Sequence, residues 1–290
     1  MGFASPVAEL VGKRCSCRTY RDEPLAAEAR RALEAFLAAN RPGPFGGRAR
    51  FALAAATPED QAALKGLGTY GFISRAAGFV VGAIASLPNA LEDYGYLMEH
   101  AILQATDLGI GTCWLGGTFA KSGFARKIGL TAGELMPAVA AVGYAADGSS
   151  AKDRIRKMAG SNFRRPAGEL FFDGTFLTPL SPAAAGEYAG PLDMVRWAPS
   201  ASNRQPWRIV RTSSGWHFFL ARTKGYGKGT LLFAVLRLAD LQRVDMGIAM
   251  CHFELAALEA GLAGGWVIEN PGIATPHPGA EYLATWRSSW

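Results

Sequence analysis

With 290 residues, 49% of them hydrophobic, the chain can bury a sizeable core, and disorder is excluded. Four cysteines (Cys15, Cys17, Cys113 and Cys251) and four histidines fall in no disulfide framework and no paired metal-binding spacing, so a reduced, metal-free protein is expected. The formal charge of +6 favours anionic partners, but no zinc-finger or RNA-binding motif and no aromatic-interleaved basic stripe accompanies it, so no nucleic-acid partner is expected.

Met1 to Glu9 is weakly apolar and lacks the positive head of a signal peptide. The longest apolar run, Ala76 to Leu87, is about 12 residues, short of the roughly 18 that span a bilayer. A cytoplasmic protein with no membrane partner is the expectation.

Taken in order, Ser5 to Val11 opens as a short helix. In the following Lys13-Arg14-Cys15-Ser16-Cys17-Arg18, the side chains of Arg14, Ser16 and Arg18 alternate and share one side of an extended chain. Two permanently charged guanidinium groups flanking a hydroxyl suit a phosphate, although the same pattern serves a solvated charged edge. Pro24 to Ala39 carries Leu25, Ala29, Leu33, Phe36 and Leu37 at helical spacing, and Asn40-Arg41-Pro42-Gly43-Pro44 stops it. Arg50 to Ala56 reads as a strand and Pro58 to Leu67 as a short helix. Phe79 to Ile84 is an apolar run too short for periodicity to divide strand from helix.

From Leu91, apolar residues recur at three- and four-residue intervals to Leu108, predicting a helix of about 18 residues that Gly109-Ile110-Gly111 ends. Thr112 to Gly117 then reads as a glycine-rich stretch, fit either for close approach of backbone amides to a ligand or simply for leaving the helix. Lys121 to Leu130 is a basic helix and Met136 to Tyr144 an apolar strand. Lys152 to Arg165 is strongly basic, suited to a solvated tail, a phosphate-facing arm, or both. Pro179, Pro182 and an Ala/Gly-rich link mark a seam near residue 178.

The stretch with the most chemistry is Pro199-Ser200-Ala201-Ser202-Asn203-Arg204-Gln205-Pro206-Trp207. Prolines, serines and two planar amides shape a turn and offer paired donors and acceptors to the edge of a planar polar ligand. Trp207 either covers the apolar part of such a ligand or packs in the core. Arg208 to Ala221 follows as a hairpin turned at Ser213-Ser214-Gly215, and Leu231 to Leu262 holds two helical stretches.

The second of those stretches repeats the first half. Asp93, Gly95, His100, Ala105, Gly109 and Trp114 recur 152 positions later as Asp245, Gly247, His252, Ala257, Gly261 and Trp266. One constant spacing predicts two related halves, 1–178 and 179–290. His100 and His252, equivalent in the repeat, are read as packing residues.

Three segments together resemble the nitroreductase-like flavoproteins. Arg14-x-Ser16-x-Arg18 is similar to that family's phosphate-binding motif, Pro199 to Trp207 to its flavin-edge motif, and Leu91 to Gly117 to its central helix with the loop beyond. The resemblance implies an α+β fold with antiparallel-rich sheets flanked by helices. It implies FMN as cofactor, with Arg14, Ser16 and Arg18 on phosphate and ribityl oxygens, Pro199, Ser200 and Asn203 along the ring, and the backbone of Gly116 and Gly117 near the redox-active nitrogen. Arg164 and Arg165 resemble a late basic pair that also meets the phosphate. Ordinary members are homodimers that carry both motifs in each subunit. Here the first half keeps one and the second keeps the other, which implies one composite site in an intrachain pseudo-dimer, a monomer unless it associates further.

The implied reaction passes hydride from NADH or NADPH through the flavin to a small electron-poor acceptor such as a nitroaromatic or quinone. No catalytic triad or carboxylate pair stands out, and no side chain is assigned as a catalytic group. A flavin-binding or small-molecule-binding protein without turnover is the alternative.

Overall fold

The structure, a computed structural model, describes residues 2–54, 73–116, 121–146, 163–226, 239–275 and 280–288. The helix expected at 58–67, most of the basic run at 152–165 and the first helical stretch after Leu231 lie outside the described residues. The chain forms two compact units, Met1–Ser161 and Asn162–Trp290. This division falls before the seam expected near residue 178, because Phe171–Asp173 pairs in parallel with Ile209–Arg211 and joins the second unit's sheet.

In the first unit, helices Val7–Lys13 (α1) and Ala27–Ala38 (α2) precede strands Ala49–Ala54 (β1) and Gly78–Ala85 (β2), helix Ala90–Asp107 (α3), strand Gly111–Leu115 (β3), helix Lys121–Ile128 (α4) and strands Glu134–Leu135 (β4) and Val139–Gly143 (β5). The sheet order is β1-β2-β5-β3, antiparallel throughout, with β4 paired to β2. The ambiguous run at 79–84 is a strand: β2 has neighbours on both sides and is buried over seven of its eight residues, which its unbroken apolar sequence requires. Thr112 to Leu115, expected as a glycine-rich loop, is strand β3 instead; Gly111 pairs with Gly143, and Gly116 follows the strand.

The second unit runs through strand Phe171–Asp173 (β6), helices Pro182–Ala185 (α5) and Ala189–Trp197 (α6), strands Trp207–Thr212 (β7) and Gly215–Ala221 (β8), helix Leu241–Glu259 (α7) and strands Gly264–Val267 (β9) and Ala280–Ser288 (β10). Its sheet order is β6-β7-β8-β10-β9. Without β6 this is the first unit's order again: a hairpin, then a helix, a strand at the far edge, and a last strand inserted between hairpin and edge.

The repeat extends to hydrogen bonds. Gly109 (φ 74°) ends α3, with Ile110 N donating to Ala105 O at 2.8 Å; Gly261 (φ 77°) ends α7, with Leu262 N donating to Ala257 O at 2.8 Å. Both stops need a left-handed residue, which glycine adopts without steric cost. His100 sits against the rings of Phe3, Phe36 and Tyr96, whereas His252 Nδ1 lies 2.9 Å from Met194 O, so both histidines pack locally. Cys15 is exposed, and Cys17, Cys113 and Cys251 are buried. No helix among the described residues is long and apolar enough to cross a membrane.

Candidate functional site

The first set of chemistry-bearing residues is built where the chain leaves α1. Residues 16–21 are stitched to the sheet by backbone bonds: Cys17 N to Thr112 O at 2.8 Å, Tyr20 N to Ser74 O at 3.0 Å and Arg21 N to Tyr144 O at 2.8 Å. Cys17 and Tyr20 turn into the core, the Tyr20 hydroxyl donating to Ala141 O at 3.2 Å. With those side chains fixed inward, Arg14, Ser16 and Arg18 are left half-buried on the side expected of them.

Gly143 makes this packing possible, since a Cβ there would stand 2.8 Å from Tyr20 Cδ1 and 3.1 Å from Ala77 N. Arg14 is held further by Glu99, a fully buried carboxylate on α3, with Nε 3.8 Å from Oε1. The other oxygen of Glu99 accepts the Trp114 indole N–H at 2.7 Å. Arg14 Nε and Arg18 Nη1 are both buried without a hydrogen-bond partner among the described residues. A guanidinium nitrogen taken from water without a hydrogen bond is costly, so two of them flanking Ser16 in the chain suit an anion.

The second set is the turn before β7. Ser202, Asn203 and Gln205 all have left-handed backbone (φ 50°, 53° and 51°), a conformation that costs roughly 1 kcal/mol or more at each non-glycine residue and persists only where the surroundings enforce it. The enforcing bonds are visible. Gln205 N donates to Ser200 Oγ at 2.9 Å, Asn203 Nδ2 to Phe163 O at 3.0 Å, Arg165 N to Gln205 Oε1 at 2.9 Å, and Ala201 N to Asp245 Oδ1 at 2.9 Å. Arg208 Nη1 closes the far side on Gln205 O at 3.1 Å. Burial, with Arg165 nearby, lowers the Arg208 pKa to about 10, still far above neutral pH.

Asp245 and its repeat partner Asp93 do the same work. Asp93 accepts Phe45 N at 2.8 Å and Gly47 N at 2.7 Å, tying down the 41–47 loop that stands before β1 as 199–205 stands before β7. Burial raises the pKa of both carboxyls, well above the ordinary value for Asp245.

The sequence-predicted residues are thus assembled in two groups, each within its own unit: Arg14, Ser16 and Arg18 beside β3, and Arg164, Arg165, Pro199, Ser200 and Asn203 around the turn. Arg164 lies over the Trp197 ring at 5.1 Å and donates to Trp197 O at 3.3 Å, while Arg165 pairs with Glu169 at 2.9 Å. Trp207 is fully buried, so its indole is a core residue and not the cover of a ligand. Gly116 follows β3, and Gly117 lies outside the described residues. Glu99 and Asp245 emerge as supports that sequence reasoning gave no site role, although the 152-residue repeat picked out Asp245; Gln205, read from the sequence as an amide facing a ligand edge, is buried and accepts Arg165 N as a support of the turn. Among the described residues no group of three or more His, Cys, Asp or Glu is placed to hold a metal ion.

The family model described as "Putative TM nitroreductase" matches residues 6–257. This chain belongs to that nitroreductase family. Its structure is similar to that of a "putative nitroreductase" from Thermotoga maritima, at 18% identity and a TM-score of 0.59, over 99% of this chain and 95% of that one. That likeness spans both units and shows the nitroreductase-like fold. A "putative nitroreductase" from Desulfovibrio desulfuricans, solved in complex with FMN, is 25% identical over 57% of this chain and 94% of its own, with a TM-score of 0.41. A nitroreductase with bound FMN from Desulfitobacterium hafniense is 19% identical over 50% and 92%, with a TM-score of 0.39. No curated protein matches the chain.

Proposed function

We propose that this nitroreductase-family chain binds one FMN and acts as an oxidoreductase, taking hydride from NADH or NADPH and delivering it to a small electron-poor acceptor such as a nitroaromatic or a quinone. The observation that carries the reading is the pair of buried guanidinium nitrogens, Arg14 Nε and Arg18 Nη1, without hydrogen-bond partners among the described residues and on either side of Ser16 in the chain. They fit a phosphate in charge, in donor character and in spacing along the chain.

When bound, FMN supplies the two-electron redox chemistry; the protein's part is to hold and polarise it. Arg14 and Arg18 compensate the phosphate charge, and the Ser16 hydroxyl supplies a neutral donor beside them. Ser200 and Asn203, on a turn locked by five hydrogen bonds, offer rigid polar contacts to the edge of a planar ring, and a rigid donor pays its ordering cost before the ligand arrives. Gly116, without a side chain, leaves its backbone N–H open to close approach.

The test is the purified protein itself. It is expected to be yellow, to release one equivalent of FMN per chain, to lose FMN in the Arg14→Gln/Arg18→Gln double variant, and to be bleached anaerobically by NADH or NADPH. Protein that neither carries nor takes up flavin overturns the cofactor and the activity together. Bound flavin that neither nicotinamide reduces favours a binding protein without this turnover.

A further inference from the structure

Glu99 is a fully buried carboxylate, and burial of a charge is tolerated only with compensation. The Trp114 indole N–H at 2.7 Å and the Arg14 guanidinium at 3.8 Å contribute to that compensation. The second unit repeats part of this arrangement. Trp266, the repeat partner of Trp114, also donates to a glutamate of its unit's long helix, but that residue is Glu254, 2.6 Å away. The position equivalent to Glu99 is Cys251. Indole capping is therefore common to both units, but the glutamate stands at a different helix position in each, and in the unit that carries the Arg14-x-Ser16-x-Arg18 segment that position is within reach of Arg14.

We infer that Glu99 is a positioning residue for the cofactor site, the standing counter-ion of Arg14, and that it competes with the phosphate of FMN for that guanidinium. The inference rests on the FMN reading above. Glu99 holds the Arg14 side chain largely buried, where a lone guanidinium would otherwise swing out to water. When a phosphate arrives, the guanidinium is shared between two anions. The carboxylate thus keeps the clamp formed and at the same time weakens its grip. Arg18 is different: its buried Nη1 has no hydrogen-bond partner among the described residues, and no carboxylate pairs with it there, so its charge is not divided in this way.

The experiment compares FMN with riboflavin, which carries the same ring without the phosphate. Glu99→Gln keeps an acceptor for Trp114 and removes the charge. Affinity for FMN is expected to rise on the order of ten-fold, as follows from deleting a like charge one guanidinium-width from the phosphate, while affinity for riboflavin stays unchanged. A merely structural role would move both flavins together. An unchanged or reduced preference for FMN overturns the inference while leaving the FMN reading intact; a wild-type protein that binds neither flavin overturns the reading and the inference with it. A second comparison does not depend on Glu99→Gln folding. Because the charge of Arg14 is already divided and that of Arg18 is not, Arg18→Gln is expected to cost more FMN affinity than Arg14→Gln, and the reverse order contradicts the proposal.

Discussion

Replacing Asp245 by alanine removes the acceptor that fixes Ala201 N, 2.9 Å away, and with it one of the bonds that hold the 199–205 turn. The three left-handed residues of that turn store about 3 kcal/mol of backbone strain, at roughly 1 kcal/mol each. A hydrogen bond to a carboxyl group contributes about 1–3 kcal/mol depending on its charge. The single anchor is therefore comparable to the strain it opposes, and its loss is enough to let Ser202 and Asn203 relax toward ordinary backbone. Part of the cost is recovered, because Asp245 is buried and desolvation raises its pKa well above the usual carboxylate value. We expect Asp245→Ala to lower unfolding stability by about 1–2 kcal/mol in urea and to release flavin. The sign with pH follows from the raised pKa: the contribution of Asp245 is fully present below the unfolded value of 3.8 and is lost as pH rises through the folded value. Asp245→Asn keeps an oxygen for Ala201 N and cannot ionise, so it should hold the turn and remove this part of the stability loss between acid and neutral pH. An Asp245→Ala protein with wild-type stability and wild-type flavin retention would refute the reasoning.

Gly143→Ala drives a methyl to within 2.8 Å of the Tyr20 ring and 3.1 Å of Ala77 N; it is expected to cost about 1–3 kcal/mol by thermal or urea unfolding and to weaken FMN through Arg18, whereas Gly12→Ala, with open space at its Cβ, is expected to leave FMN binding unchanged. Hydrogen bonding to Arg50, and then to Thr131, lowers the Glu134 pKa from 4.5 to about 2, so the stabilisation it gives is present above 4.5 and lost as pH falls toward 2; an acid titration of Glu134→Gln should show a shallower loss over that interval. Burial, aided by Arg41, lowers the His100 pKa from 6.5 to about 4, so the unfolded chain takes up a proton that the folded one refuses. Stability from this source falls as pH drops from 6.5 through 4, and His100→Phe should flatten that part of the profile in urea unfolding.

Much of this was legible because local chemistry and tertiary structure agree. The long helix from Leu91, its glycine stop and the Ser213-Ser214-Gly215 hairpin are fixed by periodicity and by residues that tolerate left-handed backbone, and the structure has all three. The 152-residue spacing captured more than helical pattern: Asp93 and Asp245 each tie down the turn before a strand, and Gly109 and Gly261 close their helices with matching bonds. Thr112 to Leu115 was misjudged because flanking glycines imitate a loop, when Gly111 and Gly143 are small so that two strands and Cys17 can approach closely. Trp207 fell to the core because alternation along β7 turns it inward, a side choice set by strand register that composition does not reveal. Glu99 stayed invisible for a related reason. A glutamate in an apolar helix reads as exposed until Arg14 and Trp114, distant in sequence, are brought to it.

The central claim is most directly tested by counting flavin on purified chains and on two variants taken side by side, Arg14→Gln/Arg18→Gln in the first unit and Ser200→Ala/Asn203→Ala in the second. The account predicts one FMN per chain in the wild type and a loss of that same equivalent in both variants. Two equivalents per chain, or a second-unit variant that keeps its FMN with unchanged affinity and spectrum, would contradict it.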